Sequence, residues 1–217
     1  MSYLFTPMEI HPDKGFGTCA DAFYEAAKGI NSKAMLIHLP LLYLLRHSIE
    51  LYLKSLLILF SVHFSENEAV RVISKYSNEH RIRTLFDDFE EIFRKHFQEL
   101  QESTKVNWEM PQELSLYIDK ICKIDNGSTY FRYPVNKKAE PEPEKDQSSY
   151  VTKSEIIKKV QNGKDKAAIF IVENKNGSEI FEFGNSYDDE TIDAFSEVCK
   201  MLSGLHFMTR NILFGGF

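Results

Sequence analysis

Cysteine is scarce in this chain of 217 residues: Cys19, Cys122 and Cys199 are the complete set. Their odd number, wide separation and lack of CxxC spacing argue against a disulfide framework and fit a reducing interior. Also missing are GxxxxGK[ST], a GxGxxG after a strand, GxSxG and HExxH, which sets aside P-loop nucleotide hydrolysis and zinc proteolysis. Positive charge is in deficit, with 26 Lys and Arg against 32 Asp and Glu for a formal charge of -6. Coating of duplex DNA by bulk electrostatics is therefore excluded, and only a local basic patch is left. The opening MSYLFTPMEIHPDKGFG has no basic stretch followed by an apolar one. Secretion is not indicated, and the expected location is cytoplasmic.

What the chain has is apolar bulk: 43% hydrophobic residues, with 17 Phe and 10 Tyr. That suffices for one sizeable core spanning residues 1–217. The most informative stretch is Leu39 to Phe64, LPLLYLLRHSIELYLKSLLILFSVHF. At helical spacing Leu42, Leu45, Ile49, Leu53, Leu56 and Phe60 form one apolar stripe, and Leu44, Leu51 and Ile58 a second. Between them Arg46, His47, Glu50 and Lys54 share an arc about 100° wide. Four ionisable groups at mid-depth would be costly in lipid, so a membrane span is not expected. Arg46 and Glu50, and Glu50 and Lys54, have i, i+4 spacing and can pair. The arc is therefore either a structural ion-pair network or one wall of a site.

Helical signals run through both ends. Thr18 to Lys28 reads as a helix capped by Thr18 with Asp21 three residues on, and Ser65 with Glu68 opens another that runs to Ser77. A helix is predicted from Glu79 to Glu102, with Ile82, Leu85, Phe86, Phe89, Phe93 and Phe97 on its core face. Further helices are predicted from Pro111 to Ile124 and from Asp189 to Leu213, the last packing back on the central helix. Residues 128–187 differ in character and read as an insertion. Asn136 to Tyr150 is polar, Pro-containing and charged, predicting a mobile loop. Thr152 and Glu155 cap a short helix, and AAIFIVE and SEIFEF flank Asn174-Lys-Asn-Gly177, predicting a β-hairpin. The expected fold is thus a mainly α helical bundle with an inserted β-hairpin and a mobile polar loop.

Two further clusters carry chemistry-bearing side chains. Glu79-His80-Arg81-Ile-Arg83-Thr-Leu85-Phe86 places an imidazole and two guanidiniums at a helix start, where the dipole disfavours positive charge and calls for an anion. Ser128-Thr-Tyr130-Phe131-Arg132-Tyr133-Pro134 sets Arg132 among aromatics, a composition suited to stacking on a base and gripping a phosphate. An Arg132 paired with a buried carboxylate such as Glu50 is the competing reading. His47 and Glu50 lie three apart, but a di-iron bundle needs two Glu-x-x-His pairs and two further Glu residues. Neither metal nor cofactor is expected.

The combination of RHSIELYLKSLL on an early apolar helix, a following EHRIRTLF and a later STYFRYP resembles divergent HEPN-domain proteins. The likeness covers roughly the first two-thirds of the helical body. It implies a small helical bundle, commonly a homodimer, in a family where many members are metal-independent ribonucleases of toxin, antiphage or RNA-processing systems. Others are noncatalytic binding or antitoxin modules. Glu50-Leu-Tyr-Leu-Lys54 is similar to the family's Glu-x3-Lys feature and would organise the cleft. The family's usual Arg-x4-6-His signature is missing: Arg71 and His80 are separated by eight residues, and His206 precedes Arg210.

RNA cleavage needs a base for the ribose 2′-OH, an acid for the leaving oxygen and cations for the phosphorane. His47, His80 and Glu50 are the catalytic candidates, and Arg46, Lys54, Arg81, Arg132 and Tyr133 the binding candidates. Three functions stay open: a protein acting on or sensing RNA, a noncatalytic regulatory or partner-binding module, and a nucleotide-binding helical bundle. Convergence of these residues on one open cleft favours chemistry; burial in closed ion pairs favours a structural role.

Overall fold

A computed structural model describes residues 7–30, 38–64, 69–131, 148–150, 168–174, 177–183 and 189–216. The chain is mainly helical. Within the described residues six α-helices follow one another: α1 Phe16–Lys28, α2 His38–Phe64, α3 Ala69–Ser77, α4 Ile82–Thr104, α5 Leu114–Asp125 and α6 Asp189–Phe214. Three short strands, β1 Ser148–Tyr150, β2 Ala168–Asn174 and β3 Gly177–Phe183, pair antiparallel in the order β1-β3-β2, with Asn174 opposite Gly177. The helix predicted at Thr152 and most of the polar stretch from Asn136 lie outside the described residues, as do Arg132 and Tyr133.

α2 is the axis of the bundle. Every residue from Ser48 to Ser61 is buried, because α1, α3, α4 and α6 all pack against it. Both apolar stripes contribute to the core, the second less completely, since Leu44 is half-buried. No helix among the described residues is long and apolar enough to cross a membrane. Ile82, Leu85, Phe86, Phe89 and Phe93 of α4 enter the core, but Phe97 is 39% exposed. It meets Phe93 at a tilt at the edge of the aromatic cluster and is not enclosed by it. Phe195, Val198, Leu202 and Leu205 place the buried face of α6 on α2. Trp108, unremarked in the sequence, is wholly buried with its ring edge toward Phe60 and its indole N–H donated to Thr104 Oγ1 at 2.8 Å.

The start of α1 differs from the Thr18 cap expected. The helix begins at Phe16, and the carboxylate of Asp13 takes its first amides: Oδ1 accepts Gly15 N–H at 3.1 Å and Oδ2 accepts Gly17 N–H at 2.8 Å. Thr18 Oγ1 instead lies 3.4 Å from His11 Nδ1. An acid before the helix answers its dipole as well as its unpaired amides, which outweighs a hydroxyl inside the first turn. The start of α4 is likewise later than predicted, at Ile82, and is capped from another element. Asn126, just past α5, accepts Ile82 N–H on its carbonyl at 3.1 Å and Arg83 N–H on its side-chain oxygen at 2.9 Å.

Candidate functional site

Three residues on one face of α2, each a turn apart, meet the junction between the end of α3, the start of α4 and the end of α5. Glu50 is the hub. Its Oε2 accepts Arg46 Nη1, while Oε1 accepts Lys54 Nζ at 2.9 Å and faces His80 Nδ1 at 2.9 Å. The cations reach further than the carboxylate. Arg46 Nη2 donates to the carbonyls of His80 at 2.5 Å and Asn126 at 3.1 Å, and Lys54 Nζ to the carbonyl of Ser77 at 3.2 Å. Asp125 adds a second anion, its Oδ2 lying 3.5 Å from Arg46 Nε. That separation and the angle make it a charge contact rather than a hydrogen bond; Asp125 Oδ1 accepts Thr129 N–H at 3.1 Å.

Burial decides how this network is read. Arg46, Glu50, Lys54 and Asp125 have side chains between 1% and 3% exposed, and two cations balance two carboxylates. Buried charges are tolerated only when paired and hydrogen-bonded, and here each has both. Burial pushes the Glu50 carboxyl up, but Arg46 and Lys54, with the bonds from Lys54 and His80, pull it further the other way, to below the ordinary carboxylate range. Glu50 is an ionised acceptor at neutral pH. The expectation that Arg46 and Lys54 line an open binding cleft is corrected: their donors are turned onto Glu50 and main-chain carbonyls, with no exposed nitrogen to grip a phosphate.

His47 does not join them. One residue further round the helix, it faces α1, its ring edge-on to Phe23 at 4.5 Å and stacked with Tyr43 at 5.9 Å. The four-residue arc is thus split between two sides of α2, and His47 is not brought to Glu50 or His80. His80 remains at the surface, with its side chain 46% exposed. Beside it Arg81 is also exposed and pairs with Glu79 at 2.7 Å. The anion that the basic start of α4 calls for comes from within the chain. Glu79 Oε1 accepts the amides of His80 and Arg81 at 3.0 and 2.8 Å, and Arg83 pairs with Asp87 and Asp119. Bonds from Arg81, working against partial burial, lower the Glu79 carboxyl to about 2.

A second buried polar cluster had no signal in the sequence beyond isolated residue types. Asp13 Oδ2 also accepts Ser55 Oγ at 2.6 Å from α2, and His206 Nε2 of α6 lies 3.7 Å away. Burial raises the Asp13 carboxyl, but the bonds from Ser55 and Gly17 and the nearby His206 hold it well below the usual range. Ser, His and Asp here do not form a hydrolytic triad. The serine donates to the aspartate rather than to the imidazole, and all three are at most 2% exposed. An open groove of about 290 Å³ lies between α5 and α6, floored by Ile121, Ile124, Ala194 and Phe195 and rimmed by Lys120, Lys123, Glu190 and Thr191. None of the residues singled out from the sequence lines it. Among the described residues no group of His, Cys, Asp and Glu is placed to hold a metal ion.

Two of the three thiols are held protonated by burial. Cys199 is fully buried, donates to the carbonyl of Leu45 at 3.3 Å and is pushed far up by burial. Burial likewise raises Cys122, to about 11. No protein-family model, no curated protein and no solved structure matches the chain.

Proposed function

We propose that this chain is a HEPN-like helical protein that acts on RNA, with His80 as the general base. The observation that carries the reading is the Glu50 to His80 contact, a buried carboxylate 2.9 Å from one nitrogen of an imidazole whose side chain is half-exposed. Two of the three segments that carry the family resemblance, RHSIELYLKSLL and EHRIRTLF, meet at this contact. In the reaction, His80 takes the proton from a ribose 2′-OH, and the freed oxygen attacks the adjacent phosphorus. The bond to the 5′-oxygen breaks, that oxygen takes a proton from water, and a 2′,3′-cyclic phosphate is left. Arg81, next in sequence, exposed and paired with Glu79, supplies positive charge at the surface. Arg46 and Lys54 act only by shaping the junction. A homodimer, a cytoplasmic location and an insertion over residues 128–187 belong to the same proposal.

A noncatalytic regulatory or partner-binding module is the second reading, and a specific observation favours it. The two strongest cations of the cluster are spent on Glu50 and on carbonyls, leaving little to stabilise a phosphorane. Incubation of the purified chain with labelled single-stranded RNA in EDTA separates the two. Cleavage that yields cyclic phosphate ends, and falls by roughly 10² or more in His80→Ala, supports the first reading. A chain that neither cuts nor binds RNA leaves the second.

A further inference from the structure

We infer that Glu50 fixes the proton of His80 on Nδ1 and so presents Nε2 outward as a bare acceptor, with Arg46 and Lys54 as positioning residues for the turn that carries the imidazole. The inference rests on the RNA reading only for the identity of the group that approaches Nε2. An ionised carboxylate has no hydrogen to give. Glu50 is ionised, being wrapped by Arg46 and Lys54 with its carboxyl held low. A contact of 2.9 Å between Glu50 Oε1 and His80 Nδ1 therefore requires the hydrogen to sit on Nδ1. A neutral imidazole carries one N–H, so Nε2 is left with a lone pair. Free histidine in water prefers the opposite form, with the proton on Nε2, and the buried carboxylate reverses that preference.

The imidazole is also held in place through its backbone. Lys54 fixes the carbonyl of Ser77 and Arg46 the carbonyl of His80, while Glu79 takes the amides of His80 and Arg81. Glu50 is the charged group in contact with the ring; Arg46 and Lys54 from α2, and Glu79 with its partner Arg81 from the same segment, hold the backbone around it. A lone pair held in a fixed direction on a half-exposed side chain suits an incoming hydroxyl, which must donate; in an RNA substrate that hydroxyl is the ribose 2′-OH. Phosphate oxygens, which only accept, are disfavoured at this atom.

Nitrogen NMR of the full chain at about pH 8, above the ordinary imidazole range, reads the tautomer directly. The His80 signal, assigned by its loss in His80→Gln, is expected to show protonated Nδ1 and unprotonated Nε2. In the combined variant Arg46→Met, Glu50→Leu and Lys54→Leu, which removes the carboxylate together with its cations, His80 should revert to protonated Nε2. Protonated Nε2 in the wild-type protein overturns the inference, as does a tautomer unchanged in the combined variant. If that variant fails to fold, the wild-type spectrum alone decides. A wild-type Nδ1–H form with no RNA cleavage keeps the inference and removes the RNA reading, whereas cleavage with protonated Nε2 does the reverse.

Discussion

Gly17 of α1 lies against the imidazole of His206 in α6 so closely that a Cβ added to the glycine would fall 2.0 Å from Nε2 and 2.8 Å from Asp13 Oδ2. Helix propensity alone favours alanine over glycine by about 1 kcal/mol. Overpacking a closed site costs about 1–3 kcal/mol, and His206 is 2% exposed with its ring against Tyr52, leaving it little room to retreat. Net of the propensity gain, Gly17→Ala is expected to lower unfolding stability by about 1–2 kcal/mol. Urea titration of Gly17→Ala in the wild-type and His206→Ala backgrounds checks the cause. An equal loss in both would place the strain somewhere other than this contact.

Asp13 ties three helices together: it caps α1, accepts from Ser55 of α2 and faces His206 of α6. Its folded-state pKa lies below the unfolded value near 3.9. The carboxylate therefore stabilises the fold fully above about pH 4 and loses that contribution as pH falls toward the lower folded value. Glu50 shifts in the same direction and adds to the same acid limb. Asp13→Asn should cost about 2–3 kcal/mol at neutral pH and flatten the decline below pH about 4. Urea midpoints measured across acid pH test both parts. A variant as stable as the wild type at neutral pH would remove Asp13 as the tie.

The helices were legible because their apolar residues recur at helical spacing, and α2 stands out by its length and by carrying charges inside that pattern. Caps were less legible. Asp13 and Asn126 act from outside the helices they cap, and Asn126 is 43 positions from the amide its side chain receives. Periodicity also put Arg46 and His47 in one arc, although the arc is wide enough for its two ends to meet different neighbours, the α4 and α5 junction at Arg46 and α1 at His47. The Glu50 pairings with Arg46 and Lys54 follow from i, i+4 spacing, but the partner that exposes the site, His80, comes from a separate turn. Ser55 and His206 carry no local pattern at all; only the packing of α2 and α6 brings them to Asp13.

Glu50→Gln tests the balance of the buried network. The side chain keeps its size but loses the charge that compensates Arg46 and Lys54, both of which stay buried. Breaking a buried pair by removing one partner costs about 3–5 kcal/mol, and replacing all the charges with apolar groups costs far less. The single variant should be strongly destabilised, and a variant combining Arg46→Met, Glu50→Leu and Lys54→Leu with Asp125→Asn, which leaves none of the four buried charges behind, closer to wild type. Thermal melts of the two provide the comparison. A single variant that melts with the wild-type protein would mean that the cluster is solvated in solution.

His47 and His80 should separate stability from activity. His47 packs between Phe23 and Tyr43, so His47→Ala removes ring contacts worth about 1–2 kcal/mol on the α1 side of the helix. Its melting temperature is expected to fall while RNA cleavage by the folded protein is unchanged. His80 is half-exposed, and its side chain adds one bond to a carboxylate already held by two cations. His80→Ala should therefore melt near the wild-type temperature and lose roughly 10² or more in cleavage rate. Cleavage rates and melting temperatures of both variants, taken on the same preparations, place each histidine on one axis or the other. Should His47→Ala abolish cleavage while folded, or His80→Ala leave the rate untouched, the general base has been assigned to the wrong side of α2.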